Sequence, residues 1–243
     1  MLVNIKINGK QIQEDSSLTI LQVAKKHGIN IPTLCYMFHE ESNLEHKPAS
    51  CRVCIVEVKG KRNLLPACAT QIYEGMEVET HNLRVLNARR TIVELLLSDH
   101  QKDCLSCVKS GNCELQDIAA ELGIRKVRFS DGEQSSAPID ISTKSIIKDH
   151  SKCILCRRCE TMCNEVQTVG VLSGINRGFG TQVSTFFGDD LIDTNCTFCG
   201  QCISVCPTGA FVEKDNTREA WAALGQKEKP VMVQTAPAVR VGL

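Results

Sequence analysis

Cys153, Cys156, Cys159 and Cys163 recur forty-three residues on as Cys196, Cys199, Cys202 and Cys206. Each run reads C-x2-C-x2-C-x3-C. A tight loop of this kind brings three thiolates to three corners of a four-iron, four-sulfur cube, and the chain carries the fourth cysteine off to a second cube. The spacing therefore assigns one [4Fe–4S] cluster to Cys153, Cys156, Cys159 and Cys206, and another to Cys163, Cys196, Cys199 and Cys202. Pro207 follows the last cysteine, where the motif places a proline; Asn164 holds that place in the first run.

Two further sets precede these. Cys35, Cys51, Cys54 and Cys68 read C-x15-C-x2-C-x13-C, a long loop with one distant cysteine, the pattern of a [2Fe–2S] site. Cys51-x2-Cys54 alone is also half of a zinc site. The segment HEESNLEHKPAS lengthens the first gap, and its His39 and His46 read as solvated loop residues. His100-x3-Cys104-x2-Cys107-x5-Cys113 supplies one imidazole and three thiolates. As a bare pattern it fits Cys3His zinc as well as a third [4Fe–4S] cluster, whose potential a neutral ligand would raise. Fifteen cysteines alone would leave one unpaired; with His100 the count closes at four sets of four. His27, His81 and His150 are single and read as surface or packing residues.

The rest of the composition bounds what surrounds these sets. Aromatics are 4% of 243 residues, too few for one large core, so small lobes held by metal fit better. Lys plus Arg and Asp plus Glu are both 28, and no basic stripe suggests nucleic acid. MLVNIKINGKQIQE alternates apolar and polar residues and is no signal peptide. Glu94 interrupts TIVELLL, the longest apolar run, so no membrane span is expected. Cysteine density without a secretory leader favours ligation over disulfides and predicts a soluble protein of a reducing, cytoplasmic compartment.

The elements that must position these residues follow from periodicity and turn signals. LVNIKI and KQIQE flank Asn8-Gly9 and predict a hairpin. Ser16 or Ser17 offers a cap to a helix over LTILQVAKKH, ended by Gly28. RVCIVEVKGKRNLLPA predicts two strands joined near Gly60, and MEVETH one more. LRVLNARRTIVELLLSDH predicts an amphipathic helix with Leu83, Leu86, Ile92, Val93, Leu96 and Leu97 on its apolar side. CELQDIAAELG predicts another, ended by Gly123, and the polar stretch around SDGEQSSAPIDIS a linker. The tail is expected to hold one helix and then an apolar strand.

Strands and helix over the first eighty residues resemble the β-grasp of plant-type ferredoxins, and the paired cysteine runs resemble bacterial ferredoxin. The order of all four sets, with PTLC at Cys35, CRVCIVEV around Cys51 and Cys54, GNCELQD at Cys113 and CPTGA at Cys206, resembles a wider family. It is the N-terminal iron–sulfur module shared by the complex I large subunit, the diaphorase subunit of NAD-reducing hydrogenases and iron-only hydrogenases. That likeness implies an α+β chain of five parts: a [2Fe–2S] β-grasp over 1–80, a small helical His/Cys3 [4Fe–4S] domain over 81–128, a linker over 129–142, a 2[4Fe–4S] ferredoxin domain over 143–215, and a tail over 216–243.

It also implies an electron-transfer subunit of an NAD(P)-linked hydrogenase, with electron bifurcation as a further expectation. Its partners would be a flavoprotein that oxidises NAD(P)H, a small [2Fe–2S] subunit and the hydrogenase catalytic subunits. VMVQTAPAVRVGL resembles the opening strand of an iron-only hydrogenase catalytic domain, whose further cysteines the chain lacks. The alternative is therefore the N-terminal part of a catalytic iron-only hydrogenase, or of a complex I or formate dehydrogenase large subunit. No dinucleotide fingerprint, P-loop or separate nucleophile appears, so no catalytic centre of its own is expected.

Overall fold

The computed structural model describes residues 1–129, 137–226, 228 and 230–242. It opens on the expected hairpin, β1 (Leu2–Ile7) and β2 (Lys10–Asp15). Asn8 and Gly9 both take positive φ, 51° and 80°, as a type I′ turn demands. α1 (Ile20–Lys26) is capped by Thr19 rather than Ser16 or Ser17. The Thr19 hydroxyl accepts from the Gln22 amide while the Gln22 side chain accepts from the Thr19 amide. This reciprocal pair satisfies two orphan donors where a lone serine would satisfy one.

β3 (Met37–His39) and β4 (Leu44–His46) form a second hairpin inside the segment expected to be loop. β5 (Ile55–Val58), β6 (Leu65–Pro66) and β7 (Glu77–Glu79) complete a sheet of order β2-β1-β7-β5-β6. β1 and β7 run parallel and the other pairs antiparallel. Ile20, Leu21, Val23 and Ala24 of α1 share one buried core with Val3, Ile5, Ile7, Val56, Val58 and Val78 of the sheet.

α2 (Leu83–Ser98) and α3 (Glu114–Glu121) follow. α2 turns only the C-terminal part of the expected stripe inward: Val93 is buried, and Ile92, Leu96 and Leu97 pack against the same core. Leu83 is 74% exposed, and Leu86 also faces water, while Val85, Arg89, Val93 and Glu94 are buried. Bare strand-end carbonyls wait opposite Arg89, and Arg90 and Arg128 pair with Glu94. Apolar counting has no access to such long-range partners.

Four short strands, β8 (Ile146–Lys148), β9 (Ser173–Ile175), β10 (Gln182–Ser184) and β11 (Phe211–Glu213), pair two by two, β8 with β11 and β9 with β10. The one-turn helices α4 (Arg158–Thr161) and α5 (Gln201–Ser204) begin just after Cys156 and Cys199. Residues 130–136 of the expected linker lie outside the described residues. Its final part is packed rather than free: Asp140 pairs by backbone with Lys148, and its carboxylate accepts from the Leu191 amide.

In the tail, α6 (Thr217–Leu224) matches the expected helix. The expected strand is replaced at its end by α7 (Pro237–Gly242), because Pro237 presets φ for a first helical turn and donates nothing to a ladder. No helix among the described residues is long and apolar enough to cross a membrane.

Candidate metal centres

The cysteine loops share one backbone device. Leu155 and Arg157, on either side of Cys156, both have positive φ, 54° and 59°; Phe198 and Gly200 repeat this around Cys199 with 54° and 75°. Left-handed backbone at a leucine, an arginine and a phenylalanine is strained and persists only where the surroundings enforce it. Here it turns amide N–H groups onto sulfur. The Leu155 amide donates to Cys153 Sγ at 3.4 Å, and the Arg158 and Phe198 amides lie close enough to Cys156 and Cys196 to favour their thiolates. Arg52, with φ 59°, makes the same bend after Cys51, and the Val53 amide there favours the Cys51 thiolate. Such concave nests of N–H donors suit anionic sulfur.

In the C-terminal lobe Cys206 stands with Cys153, Cys156 and Cys159, while Cys163 stands with Cys196, Cys199 and Cys202. Burial pushes Cys153 up to about 11 and Cys156 and Cys202 up to about 12, and it raises Cys159 and Cys196 as well. At these five positions the bare fold favours the neutral thiol, and a thiolate needs a cation to replace the proton.

In the first set, thiol donors from Cys51 and Cys68 hold Cys35 well below the ordinary range and are themselves pushed up in return. Cys54, contacted by Cys68, is lowered to about 7. All four are buried. Among the described residues, no three His, Cys, Asp or Glu side chains gather as the ligands of one ion do. A polynuclear cluster is held at its corners, so its thiolates need no common centre within bonding distance of one metal.

The second set is the least enclosed. Cys104 is exposed and Cys107 half-buried, while Cys113 is buried and pushed up by that burial. His100 is buried, and its Nδ1 has no hydrogen-bond partner. Desolvation, with Lys152 nearby, lowers its pKa and keeps the ring in the neutral form that a ligand requires. Gly209, in the CPTGA segment, explains itself here: a Cβ at this position would meet Cys107 Sγ at 2.9 Å.

His46 departs from the sequence reading. It is buried, not solvated, with Nε2 2.9 Å from the Cys156 carbonyl oxygen and Nδ1 2.7 Å from Thr161 Oγ1. The β3–β4 hairpin thus grips the C-terminal lobe beside a cysteine. A histidine within a polar stretch carries no local signal for a partner 110 residues away. His39, by contrast, reaches only Ser42 on its own hairpin, at 2.8 Å. His46→Ala is expected to destabilise this contact by about 1–3 kcal/mol, because the Cys156 carbonyl loses its buried donor. Limited proteolysis should then cut residues 37–46 faster than in the parent protein.

These donors fit iron–sulfur clusters, and comparison with known proteins bears on which kind. Residues 1–83 match a model of a 2Fe-2S iron-sulfur cluster binding domain. Residues 89–128 match the NADH-ubiquinone oxidoreductase-G iron-sulfur binding region, and 143–212 the ferredoxin-like domain of NADH-quinone oxidoreductase subunit 3. The NADP-reducing hydrogenase subunit HndD of Solidesulfovibrio fructosivorans is 57% identical over 242 residues, covering all of this chain. The chain belongs to the iron–sulfur family that includes NADH-ubiquinone oxidoreductase-G and HndD.

The NADH-ubiquinone oxidoreductase 75 kDa subunit of Reclinomonas americana is 31% identical over 88% of the chain. A crystal structure of an NAD+-reducing [NiFe]-hydrogenase in the H2-reduced state superposes with TM-score 0.77 and 28% identity, covering 87% of each chain. Within this family the chain is a mixed α and β protein with 2Fe-2S-binding and 4Fe-4S-type ferredoxin-like regions. It spans 41% of the length of HndD and 30% of that of the 75 kDa relative.

Proposed function

We propose that this chain is an electron-transfer module of an NAD(P)-linked hydrogenase, holding one [2Fe–2S] and three [4Fe–4S] clusters on the four sets named above. When bound, the clusters supply one-electron carriers whose potentials follow ligand type, hydrogen bonds to sulfur and burial. The observation that carries this reading is a single apolar seam. Cys35 and Cys51 of the first set, Cys113 of the second and Cys156 of the third are buried in one cluster with Leu34, Val53, Val93, Leu115, Ile118 and Ile154. Three ligand sets thus share one dry interior, where water cannot screen charge or reach sulfur.

The chain's residues do the holding: left-handed loops aim N–H donors at sulfur, burial keeps His100 neutral, and aliphatic side chains exclude water. The division into parts 1–80, 81–128, 143–215 and 216–243, the cytoplasmic location and the partner set belong to the same proposal. The partners are an NAD(P)H-oxidising flavoprotein, a small [2Fe–2S] subunit and hydrogenase catalytic subunits, with bifurcation as a further step; nucleic acid has no place in it. Names of relatives support it, since HndD is a subunit of an NADP-reducing hydrogenase and the superposed structure an NAD+-reducing one.

The match to HndD runs through the tail, and that favours a second reading in which 216–243 leads into a hydrogenase catalytic domain. Native mass spectrometry of the anaerobically isolated complex separates the two. A chain near 26.8 kDa plus cluster mass beside other subunits supports the relay subunit, and a much heavier chain with this N-terminus the catalytic one. In either case the module should hold about fourteen iron atoms, from one two-iron and three four-iron clusters. A measured content of one to four zinc ions and no labile sulfide would overturn it.

A further inference from the structure

Arg158 lies between Cys156 and Cys159, yet it points away from solvent. Its side chain is 9% exposed, and it forks onto Glu114 with Nη1–Oε1 at 2.6 Å and Nη2–Oε2 at 2.8 Å. Glu114 directly follows Cys113, so the pair spans from the second ligand set to the third. The two charges sit in different media. The carboxylate is 45% exposed and water screens it, whereas the guanidinium is inside, where screening is weak. The pair therefore leaves a net positive field in the interior.

Two ligand sulfurs stand in that field, Cys156 most strongly and then Cys35. They belong to the same apolar seam. Moreover, Arg158 Nε is buried and has no hydrogen-bond partner. A buried charged donor without an acceptor is costly and calls for an explanation. The sulfur of a cluster on Cys156 is an acceptor of the right charge. As a merely structural ion pair this arrangement would be poor, since burying a guanidinium costs more than one half-exposed carboxylate returns.

We propose that Arg158 is a tuning residue that raises the potential of the cluster held at Cys156, and to a lesser degree that of the cluster at Cys35, making the seam an electron sink between lobes. The proposal rests on the ligand sets given under the proposed function. Positive charge and N–H···S bonds favour the reduced, more negative cluster. Glu114 limits the effect by partial neutralisation, so the two residues act with opposite signs.

The test compares Arg158→Gln, Arg158→Lys and Glu114→Gln in the anaerobically purified protein, by iron and sulfide content and by redox titration followed by electron paramagnetic resonance. Arg158→Gln should shift the exchange equilibrium of the Cys156 cluster about tenfold toward the oxidised form, which is about 59 mV for one electron. Arg158→Lys, which keeps the charge, should recover most of the shift. Glu114→Gln should move the potential the other way, with iron content unchanged in all three. Unmoved potentials, or both neutralising variants shifting the same way, would overturn the tuning role while leaving the cluster reading intact. Absence of cluster signals from the parent protein itself would instead overturn the proposed function.

Discussion

Arg89→Met is expected to unfold the first half of the chain about 3–5 kcal/mol more easily than the parent. Arg89 is 2% exposed at the centre of α2. Its Nε donates to the Val53 carbonyl at 2.9 Å, and Nη2 to those of Ile55 at 3.0 Å and Thr80 at 3.4 Å. Methionine fills the space but donates nothing, so three interior carbonyls lose their donor at roughly 1–3 kcal/mol each. The third bond is long, which is why the lower part of the summed range applies. Arg89→Lys should recover only part, because one ammonium cannot span carbonyls at the start of β5 and just past the end of β7. Thermal unfolding should fall by about 6–20 °C, at roughly 2–4 °C per kcal/mol in a chain of this size. The Val53 and Ile55 carbonyls flank Cys54, so the absorbance of the first cluster should bleach at the same midpoint. A fall of under about 2 °C would show that water takes over the three acceptors.

Removing iron should divide the molecule in two. Among the described residues, the N-terminal core comprises seventeen buried side chains, of which fifteen are not cysteines, on a five-stranded sheet. The C-terminal core comprises nine, two of them cysteines, with Cys153, Cys163, Cys196 and Cys202 packed against it. Its strands come only in pairs of three residues and its ligand helices have one turn each. Paired strands of that length are marginal in water without further support, and metal binding is folding free energy for such a lobe. Anaerobic chelation followed by hydrogen exchange should therefore strip protection from 143–212 while β1, β2, α1 and β5 keep theirs. Uniform loss would mean that the N-terminal sheet also depends on iron; uniform retention would mean that the C-terminal lobe has a core of its own.

What the sequence makes visible here is what is local. Cysteine spacing is covalent arithmetic, and Asn8-Gly9 announces its turn because two residues suffice to make it. The left-handed bends at Leu155 and Phe198 have no such signature, since neither residue favours that backbone; cluster loops impose it. His46, Arg89 and Arg158 escape for a common reason. Apart from the long Arg89–Thr80 bond, each is a polar side chain whose partners lie 34 or more residues away, and sequence reading treats an isolated charge or imidazole as solvated. α2 shows the same blindness from the other side, for Leu83 and Leu86 are apolar and yet face water. The tail helix at Pro237 is legible in principle, as proline opens helices readily, but the valines around Met232 suggest a strand more strongly.

The seam that joins Leu34, Val93, Leu115 and Ile154 also fixes what can be inherited or engineered as a unit. A chimera that replaced residues 1–80 with a free-standing ferredoxin would leave Val93, Leu115 and Ile154 without their packing partners and the Cys156 carbonyl without His46. Gene fusion and transplantation must therefore carry the three ligand-bearing segments together. What reads along the chain as a string of interchangeable beads is, in space and with its clusters bound, one block.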